Sequence, residues 1–249
     1  MSAIEFDLVP LITKSNLADE QKDLPAFLLF DKPFSWSSFR GVKLIRWASG
    51  IKKVGHAGTL DPMATGLLIV GIGKGATKHI DLVQAQTKEY IATIKLGEAT
   101  ASYDAETEVI TTKEFTHITK ASLEEVLETH FLGEIEQKPP IYSALKKDGK
   151  KLYEYARKGQ EVEIASRKVH LISIEILRFE LPEVEIKITC GKGTYIRSLA
   201  HDLGIALDSV AHLIQLRRTK IGDFDVSLAL NEAEVKAYFG KVDHQTKEL

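Results

Sequence analysis

With 249 residues, 44% hydrophobic and 27% charged, and a net charge of −2, the chain suits one large globular domain or one domain with a small attachment. Its single cysteine, Cys190, excludes an internal disulfide framework and lends no support to a zinc site, and no apolar run approaches the ~20 residues that span a bilayer. The start, MSAIEFDLVP, lacks the basic and apolar regions of a signal peptide, so a cytoplasmic protein is expected.

The near-neutral total hides segments of opposite sign. Residues 1–24 hold two Lys against five Asp or Glu, whereas residues 137–168 hold nine basic against four acidic. Residues 40–61 hold five basic against one acidic, and residues 186–222 six against two. These basic segments are either solvated faces or the walls of one groove for a polyanion.

Residues 1–24 are polar without a clear period and read as a loosely docked N-terminal extension. Ala26–Phe30 reads as a strand, ended at Asp31-Lys32-Pro33 because proline cannot extend a ladder. Ser37 or Ser38 can cap a helix over 39–48, with Val42, Ile45 and Trp47 inward, Arg40, Lys43 and Arg46 outward, and Gly50 closing it. The next stretch, Val54–Gly73 (VGHAGTLDPMATGLLIVGIG), is the one around which the chain is organised. A glycine-rich turn carries His56 and Asp61, and Leu67–Ile72 follows as a buried strand. Pro62 pushes Asp61 towards an extended backbone. Asp61 reads either as a turn cap, the common use of loop aspartates, or as a carboxylate mounted rigidly for chemistry.

Gly71-Ile72-Gly73-Lys74-Gly75 has neither the Walker A nor the GxGxxG spacing and is taken as a turn into a short helix near 76–83. Lys88–Leu96 alternates as a strand, with Tyr90, Ala92, Ile94 and Leu96 on one face; Tyr90 is either core or the lip of a site. A polar loop, a strand over 109–113 and an amphipathic helix over 121–131 follow. Residues 134–170 break at Pro139-Pro140, resume as a strand over 141–145, turn at Asp148-Gly149 and form a short basic helix over 152–158. Tyr142, Tyr153 and Tyr155 among lysines suit a mobile RNA-gripping loop as well as a solvated hairpin with tyrosines packed beneath. Two alternating strands, 169–179 and 184–190, lead to the Gly191–Thr194 turn and a helix over 195–207, whose start favours anions beside Tyr195 and Arg197. A strand over 212–221 carries Arg217-Arg218, and Asn231 with Glu234 forms a capping box for a last short helix. His201-Asp202 has no second His and Asp cluster at matching spacing, so no metal is expected. Strands and helices mix without regular βαβ alternation, which favours α+β.

Five stretches in order now carry a resemblance: GHAGTLDPMATGLL at 55–68, KEYIATIKLG at 88–97, PPIYSALKKDGKKLYEYARKG at 139–159, GKGTYIRSLAHDLG at 191–204 and LRRTKIGDF at 216–224. Over roughly residues 26–230 the chain resembles the tRNA pseudouridine synthase B (TruB) family. The resemblance implies the pseudouridine-synthase fold, an α+β domain around a long, mixed, mainly antiparallel sheet with flanking helices and a central active-site cleft. It also implies isomerisation of uridine-55 in the T loop of tRNA, by base flipping, aspartate-dependent breakage of the glycosidic bond and reattachment through C5. Asp61 matches the family's essential aspartate, and His56 the histidine that helps displace the target base. Tyr90 matches the tyrosine that stacks on the flipped uracil. Tyr195 and Arg197 match the GTYIR pair, the arginine pairing with the catalytic carboxylate. Leu216 matches an apolar residue lining the base pocket, and Lys32-Pro33 the early Lys-Pro element. The glycines around His56 are then read as room for an extruded nucleotide. The reaction involves no oxidation, hydrolysis or phosphoryl transfer, so no cofactor or metal is implied. The implied partner is the tRNA T stem-loop, with no membrane and no protein partner, and a monomer is expected.

Two departures from the family pattern stand out. About twenty-five residues follow Asp225, below the ~50 of a minimal domain, so residues 231–249 are expected to be a short helix and tail without a C-terminal RNA-binding (PUA) domain. The family's usual Thr-Asp-Thr run is Thr100-Ala101-Ser102 here, with Asp104 retained downstream. A non-catalytic tRNA-binding or folding module and a metal-dependent hydrolase using Asp61 and His201 are the competing readings.

Overall fold

A computed structural model describes residues 9–17, 24–143, 145–147, 149–156, 159–160 and 162–240. The chain divides into two compact units, residues 1–88 with 217–249, and residues 89–216. The first unit begins with β1 (Leu11–Ile12), β2 (Ala26–Lys32), α1 (Ser38–Ser49), β3 (Val54–Ala57), β4 (Ala64–Ile72), α2 (Gly73–Thr77) and α3 (Ile80–Ala85).

β4 is the centre of this unit. β2 runs antiparallel along one edge, from Ala26 opposite Ile72 to Lys32 opposite Gly66. β3 runs antiparallel along the other, with Val54 opposite the same Ile72. Alternate residues feed two separate cores. Leu28, Phe30, Leu68 and Val70 pack with Val42 and Ile45 of α1. Phe27, Leu29, Leu67 and Ile69 pack with Ala76 of α2 and Val83 of α3. A strand buried on both faces shows no polar alternation, which is why β2 and β4 read as plain apolar runs. β3 has no such signal, because Gly55 and His56 have low strand preference; it forms along an open edge of β4. β1 pairs parallel with β2, and Val9 and Ile12 are buried. Residues 9–17 are therefore docked by ladder bonds and two apolar anchors, not loosely held as the polar composition suggested. α1 starts where expected, with the Ser37 hydroxyl accepting from Arg40 N, and ends at Gly50 with φ 71°, but Trp47, expected inward, is 53% exposed because the buried stripe runs through Gly41, Val42, Ile45 and Ala48.

The second unit takes up β5 (Lys88–Leu96, from Glu89), β6 (Glu98–Thr100), β7 (Val109–Thr112), α4 (Lys120–His130), β8 (Gly133–Gln137), β9 (Lys146–Lys147), β10 (Lys150–Lys151), α5 (Leu152–Ala156), β11 (Arg167–Glu180), β12 (Glu183–Cys190), α6 (Ile196–Ala206) and β13 (Ala211–Ile221, to Leu216). β5, β12, β11 and β8 lie side by side, with β11 antiparallel to both its neighbours. Tyr90, Ala92, Ile94 and Leu96 of β5 are buried on one face, as their alternation requires. Of the strand expected over 141–145, Ile141, Tyr142, Ser143 and Leu145 are not in a strand, and Ala144 lies outside the described residues. The carbonyls of Ile141, Ser143 and Leu145 accept instead from the N–H groups of Ser143, Tyr153 and Leu152. β9 and β10 pair around the expected turn, whose Asp148 lies outside the described residues. So do Arg157 and Lys158 at the end of the expected basic helix, and the tail from residue 241. β14 (Phe224–Asp225) and α7 (Glu232–Tyr238) belong to the first unit again, and both arms of the Asn231–Glu234 capping box are made. Each unit sets helices against a mainly antiparallel sheet, the expected α+β class. Among the described residues, no helix is long and apolar enough to cross a membrane.

Candidate active site

Asp61 stands half-buried in the loop between β3 and β4. Two main-chain devices fix that loop. The Ser38 hydroxyl accepts from Leu60 N at 2.8 Å and donates to Leu60 O at 3.0 Å, so one serine clamps the residue just before Asp61. The Asp61 carbonyl accepts from Ala64 N at 3.1 Å, closing a tight turn. Of the two candidate caps, Ser37 caps α1 and Ser38 points inward to this loop.

Three charged or titratable side chains of the same unit sit around it. Lys32 is fully buried on β2, its ammonium donating to the carbonyls of Trp36 at 2.6 Å and Pro33 at 3.0 Å. Burial lowers its pKa to about 8, assisted by Arg218 and opposed by the Asp61 and Asp31 carboxylates. His56 lies on β3 opposite Val70, on a strand and not in the expected turn. Burial, then the Arg218 charge, lower its pKa, so the ring is neutral at pH 7. The Arg217-Arg218 pair splits. Arg217 grips Asp31 through two nitrogens at 2.8 and 3.1 Å. Arg218, 1% exposed, donates Nε to Leu67 O at 2.7 Å and Nη2 to Gly58 O at 3.1 Å. Two of the glycines make room for residues of the same unit. A Cβ on Gly66, where φ is 102°, would collide with the Arg218 main chain, and one on Gly55 would meet the Ile80 side chain.

The Lys32 environment makes a testable prediction. The folded pKa lies below the unfolded value of 10.5, so the unfolded chain binds more protons between pH 8 and 10.5, and stability rises with pH across that window. A shift of this size corresponds to about 3 kcal/mol. Lys32→Met lacks the titration, so urea unfolding should show the wild type gaining about that much on the variant between pH 7 and 10.5.

In the second unit, Arg197 is 3% exposed near the start of α6. Its Nη2 donates to Tyr142 O at 2.9 Å and Nη1 to Ser102 O at 3.2 Å. Its Nε lies 3.6 Å from the Asp104 carboxylate, and both side chains are 4% exposed. Asp104 is itself held by the Ser102 hydroxyl at 2.5 Å and Glu106 N at 3.0 Å. The acid missing at Ala101 is thus not the one that pairs with this arginine. Tyr195 N-caps α6; Gln137 accepts from its N–H at 2.7 Å and donates to its carbonyl at 2.9 Å, while Arg167 covers its ring at 4.7 Å. At the start of α6 the Tyr195 N–H is thus engaged by Gln137, and the Arg197 guanidinium is buried. Tyr90 is 8% exposed on β5, and Leu216 is half-buried on β13.

His201 stacks on Tyr103, with ring centroids 3.9 Å apart and planes at 10°. Burial lowers the His201 pKa and raises that of Asp202 to about 6. No group of three or more His, Cys, Asp or Glu among the described residues could hold a metal ion. Gln137 does not stand out in the sequence, and Ser38, Asp104 and Arg218 read there only as a candidate helix cap, a retained acid and part of a strand. Each has a partner distant in the chain, and such pairings leave no spacing pattern to read.

A family model described as "TruB family pseudouridylate synthase (N terminal domain)" matches residues 46–196, and one described as "tRNA pseudouridylate synthase B C-terminal domain" matches residues 197–249. The tRNA pseudouridine synthase B of Flavobacterium johnsoniae is 51% identical over 211 residues, covering 82% of this chain and 91% of that protein. Its namesake in Parabacteroides distasonis is 50% identical over 214 residues, covering 84% and 90%. Among solved structures, a chain of a Cbf5-Nop10-Gar1 complex matches with TM-score 0.66 and 29% identity, over 87% of this chain and 56% of that one. A chain of the archaeal box H/ACA sRNP Nop10-Cbf5 complex matches with TM-score 0.63 and 25% identity, over 86% and 53%. The chain spans about half the length of those two solved chains.

Proposed function

Because the chain belongs to the TruB family of pseudouridine synthases, we propose that it isomerises uridine-55 to pseudouridine in the T loop of tRNA. The observation that carries this reading is the loop of Asp61, clamped at Leu60 by Ser38 and overlooked by the buried ammonium of Lys32. A carboxylate so fixed acts on the ribose while the N1–C1′ bond breaks, by attack at C1′ or by taking a sugar proton. The freed uracil rotates and bonds through C5, and C5 gives up its proton as N1 regains one. Atoms and electrons balance without a redox or metal partner. The base must leave its stack first. A neutral His56 suits the wedge role, since displacing a base calls for shape and a hydrogen-bonding edge, not charge. Stacking on an aromatic platform is worth about 1–3 kcal/mol, comparable with the cost of extrusion. Tyr90, Arg197, Tyr195 and Leu216 keep the roles the resemblance assigns them. The basic 137–168 segment grips the T stem in this reading, and the chain works as a monomer without a protein partner. A reducing cytoplasm, in which buried Cys190 stays a thiol, is the implied compartment.

The test is direct. Incubation with an unmodified tRNA transcript should yield pseudouridine at one T-loop position, detected by chemical labelling and primer extension, with no loss of activity in EDTA. Binding without product would favour the folding-module reading, and activity abolished by EDTA the hydrolase reading.

A further inference from the structure

Arg218 is the largest fully buried side chain among the described residues, and burying a guanidinium is costly unless its donors are met. Its donors go to two carbonyls, Leu67 at 2.7 Å and Gly58 at 3.1 Å. These flank the loop that carries Asp61, Gly58 at its start just after β3 and Leu67 in β4 beyond its end. The planar fork fixes the spacing between them in a way a flexible ammonium cannot. Gly66 of β4, just beyond this loop, leaves room for this residue. The Arg218 main chain fills the place of a Cβ on Gly66, and Nη1 would lie 3.5 Å from one on Gly58. β2, β3 and β4 are already joined by their own ladders and two apolar cores, so the polar work of Arg218 is concentrated on the loop.

We propose that Arg218 is a positioning residue, which ties the start of the Asp61 loop at Gly58 to β4 at Leu67 and thereby fixes where the Asp61 carboxylate stands. The inference rests on the reading of Asp61 as the catalytic carboxylate. Arg218 acts through Asp61 and touches no reacting atom.

Two full-length variants test it. Arg218→Lys keeps the charge and reaches at most one carbonyl at a time, and Arg218→Met keeps the length without charge or donors. Two readouts are taken: amide hydrogen exchange of the free protein, and kcat and KM with an unmodified tRNA transcript, corrected for the folded fraction. Exchange over residues 58–67 should rise about tenfold or more in both variants, with β2 protection unchanged. kcat should fall by about 30- to 100-fold in Arg218→Lys, and further in Arg218→Met, as a misplacement on the order of 1 Å can cost ~100-fold. KM should stay within about threefold, as expected when an interaction felt only in the transition state is lost. Wild-type kcat and loop exchange in Arg218→Lys would overturn the proposal. So would exchange rising equally through β2, the mark of a general stabiliser, or a raised KM at constant kcat, the mark of an RNA contact. If the wild type makes no pseudouridine while loop exchange still rises selectively in the variants, the proposed function fails and the fastening of the loop stands.

Discussion

Asp61→Asn should retain tRNA binding and lower pseudouridine formation by about 10⁴-fold or more. The size follows from the role: an amide neither attacks C1′ nor accepts a sugar proton at neutral pH. The fold should survive, because the clamps on this loop are independent of the carboxylate. Ser38 holds the Leu60 main chain, and the turn to Ala64 N uses the Asp61 carbonyl. A further sign accompanies the loss. Asp61 pulls the Lys32 pKa upward against burial, so its neutralisation moves Lys32 below about 8 and leaves less of it charged at pH 7.5. Single-turnover assays with excess enzyme, paired with filter binding to the same transcript, separate the two effects. Product formation by Asp61→Asn at the wild-type rate would show that this carboxylate does no chemistry.

How far the sequence reveals this arrangement depends on what kind of order each part has. β2 and β4 are legible because burial on both faces leaves unbroken apolar runs, and α1 because its cap, apolar stripe and terminal glycine agree. β3 is not, since Val54–Ala57 gains its strand character from the edge of β4. The reverse happens at Ile141–Leu145, where a good strand sequence is diverted because its carbonyls find Ser143, Tyr153 and Leu152. At the site, Asp61, His56 and Lys32 are visible as residue types in motifs. What fixes the Asp61 loop is not: Ser38 and Arg218 are ordinary residues whose importance lies in main-chain groups supplied from elsewhere in the chain. The glycines show the same limit. Their permissiveness is readable, yet only coordinates reveal that Gly66 makes way for Arg218.

Asp104→Ala should destabilise the protein by about 3–5 kcal/mol, the range for breaking one side of a buried ion pair. Arg197 would then keep its charge in a site only 4% exposed, with the Ser102 and Tyr142 carbonyls but without this carboxylate. The Ser102 hydroxyl and Glu106 N would lose an acceptor as well. Asp104→Asn keeps the shape and one carbonyl acceptor while losing the charge, so its cost should be smaller, about 1–3 kcal/mol. The ordering Asp104→Ala worse than Asp104→Asn worse than wild type, read from urea midpoints at constant slope, is the diagnostic outcome. Activity should follow a different order. Both variants weaken the hold on Arg197 from one side, so both should lose kcat even where Asp104→Asn remains well folded at the assay temperature. Equal midpoints for Asp104→Ala and wild type would mean that the Arg197 charge is balanced without Asp104.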